Sequence, residues 1–203
     1  MEEKTYEFYG VDAKTEWKMG LLFGTAFIVI WVISYFIIYW LWRKYIIGNN
    51  FITGHYETKI MNLIFFGSMF LGFLGSLGIL KFLGNTKAKK WSIIKQKDKL
   101  IIEYDHNCYE ILLDDITKVK VYGSSEFRYF TIKDNNKGVR IRVGASQLTP
   151  FSRKGDLQIL DSFINNELMH FLNKNFTKKD RKLSISPAGT VKLTYTRKEK
   201  RTS

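Results

Sequence analysis

The apolar residues of this 203-residue chain fall into three regimes. Residues 19–42 read MGLLFGTAFIVIWVISYFIIYWLW and residues 60–80 read IMNLIFFGSMFLGFLGSLGIL, neither with a charge. A bilayer core of roughly 30 Å takes about 20 apolar residues as a helix, so each run is long enough to span it. From Trp91 the spacing changes to period two. WSIIK, LIIEY, YEILL, ITKVKVY, FRYFTI and VRIRV are rich in branched and aromatic residues and are separated by QKDK, DHN, DD, GSSE and DNNKG. Short alternating runs between turn-forming clusters predict an antiparallel meander, as a sandwich or barrel. Over residues 156–173 the period becomes helical, with Leu157, Leu160, Ile164, Leu168 and Phe171 on one face. Asp156, after Gly155, is placed to cap that helix.

Only seventeen residues separate Trp42 from Ile60, so the two spans form an antiparallel hairpin. A cleaved signal sequence fits the first run poorly. The run is too long, the preceding MEEKTYEFYG is acidic, and no small-residue cleavage site follows. Tyr39, Trp40 and Trp42 suit an interfacial aromatic belt. Ser68, Gly72 and Ser76 recur every fourth residue, and Gly20 and Gly24 form a similar patch on the first helix. Small residues let helix backbones approach closely in lipid, either inside one hairpin or at a homo-oligomer seam.

Charge then orients the hairpin. The formal net charge is +13, and most of it follows Leu80. Lys87, Lys89, Lys90, Lys95, Lys97 and Lys99 form a basic set expected beside the membrane, against Arg43, Lys44 and Lys59 in the connecting loop. The positive-inside bias places the C-terminal region in the cytoplasm, and an even number of spans places the N-terminus there too; Arg43 and Lys44 pull the other way. The organisation expected is a cytoplasmic segment over 1–18, a membrane hairpin over 19–84 (helices about 19–42 and 60–80), a β domain over 85–176 and a basic tail over 177–203. In the tail, LSIS and VKLTYT alternate around Pro187-Ala188-Gly189, a hairpin pattern.

Catalytic chemistry finds little support. Cys108 is the one cysteine, so no internal disulfide forms, and His106 with Cys108 lacks a third metal ligand nearby. Asp114 and Asp115 are adjacent and point to opposite faces of a strand, and His170 stands alone on the last helix. No phosphate loop, nucleophile elbow or Cys/His arrangement is present, and no cofactor or metal is expected. The chain reads as a non-enzyme. Nucleic-acid binding lacks aromatic platforms or a reading helix.

Strands followed by one amphipathic helix, over roughly residues 90–173, resemble the bacterial pleckstrin-homology-like (PH-like) domains of small membrane proteins. The resemblance rests on DKLIIEYDHNCYEILLDDITKVKVYG, residues 98–123. There Ile111, Leu113, Asp115, Ile116, Lys118 and Val119 match the family's I-x-L-x-D-I-x-K-V segment. Two preceding membrane helices are a frequent arrangement in that family. The resemblance implies an α+β protein: a two-helix transmembrane hairpin, then an antiparallel PH-like barrel of six or seven strands plugged by its C-terminal amphipathic helix. It also implies a bacterial inner or plasma membrane location. Eukaryotic relatives often bind phosphoinositides through K-x(n)-[KR]-x-R around their first two strands. Here Lys95, Lys97 and Lys99 occupy the comparable hairpin without the arginine.

A second basic set is more orderly. Lys118 and Lys120 alternate with Val119 and Val121, and Arg140 and Arg142 alternate with Val139, Ile141 and Val143. Period two sends these cations to one sheet face and the apolar residues to the core. With Arg128 they form the expected binding face, for anionic lipid headgroups or an unidentified protein partner. Two functions follow: a membrane-anchored adaptor acting through this face, or an immunity protein that neutralises a membrane-acting toxin through its hairpin.

Overall fold

The computed structural model describes residues 4–45, 55–144, 151–180 and 190–198. In order the chain forms β1 (Lys4–Asp12), α1 (Ala13–Tyr45), α2 (His55–Lys87), β2 (Lys89–Lys95), β3 (Lys99–Tyr104) and β4 (Asn107–Leu112). A 3-10 turn (Leu113–Asp115), β5 (Lys118–Gly123), β6 (Phe127–Lys133) and β7 (Gly138–Gly144) come next. The last elements are α3 (Asp156–Ser162), a π turn (Phe163–Leu168), α4 (Met169–Asn175), β8 (Phe176–Asp180) and β9 (Val191–Arg197). Two compact units result: residues 17–83, and the described residues up to Glu16 together with those from Gly84 onward.

Residues 17–83 hold the two apolar helices, both long and apolar enough to cross a membrane. Ile28, Ile33, Phe36, Leu63, Phe66 and Phe70 are exposed along them. Apolar surface of that extent needs apolar surroundings. The helices meet through the small ridge of α2. A Cβ on Gly72 would lie 2.9 Å from the Trp31 Cβ and 3.1 Å from the Phe27 carbonyl oxygen, so only glycine allows this approach. Ser68 and Ser76 flank it, fully buried, and donate their hydroxyls to the Phe65 and Phe73 carbonyls at 2.8 Å. Phe23 meets Phe73, and Trp31 meets Phe65, edge to face. Gly20 and Gly24 have nothing within 4 Å of an added Cβ, so that patch takes no part in hairpin packing.

The second unit is a nine-stranded antiparallel sheet in the order β4-β3-β2-β1-β7-β6-β5-β9-β8. It is open. The expected closed barrel of six or seven strands is therefore corrected: β4 and β8 are edges that do not pair. Alternation specifies which face of a strand is buried, and carries no information about closure. The sheet also reaches beyond the expected 85–176 at both ends. β1 comes from the stretch expected to be a plain N-terminal segment and sits inside the sheet, while β8 and β9 bring in the tail. The turn around Pro187-Ala188-Gly189 lies outside the described residues.

β1 joins the two halves of the sheet. Lys4 to Gly10 pair with β2, and Val11 and Asp12 pair with β7. The change of partner needs a close backbone approach, since a Cβ on Gly10 would stand 2.7 Å from the Arg142 carbonyl oxygen. Phe8, Ile93, Ile102, Phe130, Ile141 and Tyr195 bury one sheet face under the helical segment. That segment runs past residue 173 to Asn175 and buries Leu160, Phe163, Ile164, Leu168 and Leu172. Leu157 and Phe171 are only partly buried. The π turn widens the helix and shifts the phase of every later side chain, which brings Leu172 to the core in place of Phe171. Asp156 accepts the Arg153 N–H instead of capping the helix, and Gly155 (φ 97°) takes the N-terminal position.

Candidate binding face

Strand parity sorts the basic residues. On β5, β6, β7 and β9 the outward positions fall into cross-strand rows: Thr196-Lys118-Lys133-Gly138, Thr194-Lys120-Thr131-Arg140, and Lys192-Tyr122-Tyr129-Arg142. Val119, Val121, Val139, Ile141 and Val143 point the other way and are buried. Lys118, Lys120, Arg140 and Arg142 thus share one face, and the structure adds Lys133 and Lys192. None of these outward strand positions is acidic.

Arg128 is a correction. It neighbours outward-facing Tyr129, so parity turns it toward the helical side of the sheet. Asp161 on α3 receives its Nε and Nη2 hydrogens, both at 2.8 Å. This bidentate pair docks the helix and leaves Arg128 outside the face.

Arg142 is on the face but already neutralised. Its Nη1 donates to Glu16 Oε1 at 2.8 Å, and its guanidinium lies 5.2 Å from the Tyr129 ring centroid and 4.7 Å from that of Phe151. Arg140 reaches the other Glu16 oxygen at 3.4 Å and covers Tyr129 at 4.7 Å. The Tyr129 hydroxyl donates to Glu16 as well. Burial, then this bond to the carboxylate, pushes the Tyr129 phenol up to about 12. Glu16 reaches the face from the first turn of α1, where Asp12 accepts the Thr15 N–H at 3.0 Å and caps the helix.

The other cations lack such partners. Among the described residues, Lys118, Lys120, Lys133 and Lys192 form no ion pair within 4.0 Å. Lys120 is held below the ordinary lysine value, first by the charge of Lys118, then by burial and by Lys133, Lys192 and Arg140. Lys120, Lys133, Arg140 and Lys192 line a groove of about 870 Å³ together with Thr131 and Tyr129. Asp134 at its rim accepts the N–H groups of Asn136 and Lys137 and holds the β6–β7 turn.

The membrane-proximal set divides. Lys87 ends α2, and Lys89 and Lys90 open β2. Lys95, Lys97 and Lys99 lie about 20 Å or more further along, since a strand advances 3.3 Å per residue. Lys95 there donates to Glu167 at 3.1 Å, and Lys99 to Glu110 at 3.1 Å. Lys95, Lys4 and Tyr6 all donate to Glu167, and these bonds, that from Lys95 first, hold its carboxyl below the usual range. Among the described residues no group of three or more His, Cys, Asp and Glu is arranged to hold a metal ion.

No family model matches the chain, and no curated protein or solved structure matches it. The PH-like resemblance therefore stays with the residues that carry it.

Lys133, Lys192, Thr131 and Glu16 were not singled out from sequence. Lys133 continues the alternation of FRYFTIK by one step, and Lys192 belongs to the alternating VKLTYT, so both carried a usable signal. Glu16 carried none, because its partners lie 113 and 126 residues away.

Proposed function

We propose that this is a non-enzymatic two-pass membrane protein whose β unit binds the anionic headgroups of the bilayer that anchors it. The observation carrying the proposal is a sheet face whose four lysines form no ion pair among the described residues and whose outward strand positions include no acid. Like charges gathered this way repel one another, and a negatively charged surface relieves the repulsion. Chain geometry favours lipid over a protein partner. Glu16, bound to Arg140 and Arg142, precedes the uncharged run at Met19 by three residues, about 5 Å of helix. The headgroup layer is of similar thickness, roughly 5–7 Å on each side. The chain therefore passes from a residue of this face into the apolar run within one helical turn.

A PH-like architecture suits this role. In the order β4-β3-β2-β1-β7-β6-β5-β9-β8 the first strand joins β2–β4 to β5–β7, and a helical segment follows β7 in the chain. On that reading the loop that carries phosphoinositide ligands in eukaryotic relatives, between the first two strands, is here replaced by the membrane hairpin. A binding site then has to lie elsewhere, and the β5–β7 face offers one. Because β1 pairs with β2, the residues just before α1 and just after α2 occupy the same side of the membrane. We take that side as cytoplasmic.

Acetylation of lysines on the full chain in nanodiscs tests the reading. Adding phosphatidylglycerol to phosphatidylcholine should slow modification of Lys118, Lys120 and Lys192, and high salt should restore it. Equal rates in both lipids would exclude lipid as the ligand. Orientation has its own reporter in exposed Cys108. An impermeant maleimide on intact cells should leave Cys108 unlabelled and react with an introduced Asn50→Cys; labelling of Cys108 reverses the topology.

A further inference from the structure

Building on that reading, we propose that the groove around Thr131 is a phosphate site selective for lipids whose headgroup is a phosphomonoester, a dianion, over singly charged phosphodiester lipids. Three cations converge there. Lys120 and Arg140 are the direct cross-strand neighbours of Thr131, one on each side, and Lys133 follows it on the same face of the same strand. Neighbouring strands lie about 4.8 Å apart, and residues two apart on a strand about 6.7 Å. Lys120, Lys133 and Arg140 therefore border the same groove as Thr131, with the Arg140 guanidinium lying over Tyr129. Lys192 on β9 and residues 134–137 of the β6–β7 turn also line the groove.

The shape and the charge count both distinguish this spot from the rest of the face. A flat row of lysines attracts any anionic surface in proportion to its charge. A concavity of about 870 Å³ lets several cations address one phosphate at once. A phosphomonoester carries about −1.5 to −2 near neutral pH, its second ionisation lying near pH 6, whereas a phosphodiester carries one charge. Lys120 and Lys133 have no carboxylate within 4.0 Å among the described residues, and Arg140 holds Glu16 only at 3.4 Å on a half-exposed side chain. The groove therefore gathers Lys120, Lys133, Arg140 and Lys192 against the one lining carboxylate among the described residues, Asp134, which accepts the N–H groups of its own turn. Arg142 contributes little, because Glu16 already satisfies it at 2.8 Å. The depressed Lys120 ammonium agrees with a site crowded by cations while no anion is bound.

The test uses the full chain in phosphatidylcholine nanodiscs with either phosphatidic acid or enough phosphatidylglycerol to match the total charge. Acetylation of Lys120 and Lys133 is followed by mass spectrometry, with exposed Lys97 in the β2–β3 turn as reference. Phosphatidic acid should protect both residues roughly tenfold more strongly, as an added unit charge close to several cations implies. That advantage should vanish between about pH 7.5 and pH 5.5, as the monoester loses its second charge. The pair Lys120→Gln, Lys133→Gln should abolish the preference, read at Lys118 and Lys192, while both lipids still protect those two lysines. Equal protection at matched charge overturns the phosphomonoester site and leaves the lipid-binding face standing. Failure of both lipids to protect any lysine of the face removes the underlying reading as well. Protection by inorganic phosphate in neutral nanodiscs, equal to that by phosphatidic acid, overturns the assignment to a lipid.

Discussion

Lys118 stands directly opposite Lys133 across the β5–β6 ladder, two ammonium groups in one cross-strand pair. Like charges so placed destabilise a sheet, by about 0.2–1 kcal/mol. Lys133→Gln should therefore raise the unfolding midpoint of the full chain in neutral nanodiscs at low salt. The gain should shrink as ionic strength passes about 0.1 M, where the Debye length is about 10 Å. An unchanged midpoint at low salt would mean that the two ammonium groups avoid each other.

Lys120 adds a pH dependence of definite sign. Its ammonium is held below the ordinary value of 10.5 in the folded protein, first by Lys118. The folded state thus binds fewer protons than the unfolded one, and the resulting penalty is complete at neutral pH. It lifts as pH rises from the depressed value to 10.5. Lys120→Gln should be the more stable protein at neutral pH and lose that advantage under alkaline conditions.

Tyr129 acts in the opposite sense. Its folded value of about 12 stands above the ordinary 10.0, so it contributes stability below pH 10 that is lost as pH climbs through 12. Spectroscopic titration should show a tyrosinate step near 12 that is absent in Tyr129→Phe. Tyr6 and Tyr104 are also raised, chiefly by burial, so the highest step is the one to follow.

Arg128→Gln separates structure from binding. The Arg128–Asp161 pair is bidentate and its side chains are 18% and 32% exposed, so its loss should cost about 1–3 kcal/mol. Lipid protection of Lys120, measured below the unfolding transition, should stay at the parental level. A specific loss of protection would return Arg128 to the binding face.

Position 72 separates the two glycine patches of the hairpin. Gly72→Leu has to push Trp31 and the α1 backbone aside, whereas Gly24→Leu meets nothing within 4 Å. The first should lower the thermal midpoint of the full chain in nanodiscs and the second leave it unchanged. If Gly24→Leu proves the more damaging, that patch serves contacts outside this hairpin.

What the sequence disclosed follows from how local each signal is. Val119, Val121, Ile141 and Val143 alternate with cations, and that pattern alone assigns both faces of β5 and β7. The uncharged runs announced the two long apolar helices in the same direct way. β1 escaped notice because its partners, Trp91 on β2 and Arg142 on β7, are supplied by distant segments, and KTYEFYGVD has too few aliphatic residues to mark a strand by itself. Arg128 was misplaced because FRYFTIK has aromatic residues in both phases: Phe127 and Tyr129 face out, Phe130 in. The groove at Thr131 depends on pairing β5, β6 and β7 in one register, and alternation within each strand leaves that register open.

The place of β1 in the sheet also bears on biosynthesis. Val11 leaves the ribosome about 130 residues ahead of Arg142, its partner on β7. At roughly 5–20 residues per second the strand waits on the order of ten seconds, while both apolar helices are synthesised. Phe8 meets its partner Trp91 on β2 only after both apolar helices have been made, and Val11 waits longer still for β7. Synthesis of both apolar helices therefore precedes completion of the β unit. The sheet is thus completed only by residues made after the hairpin.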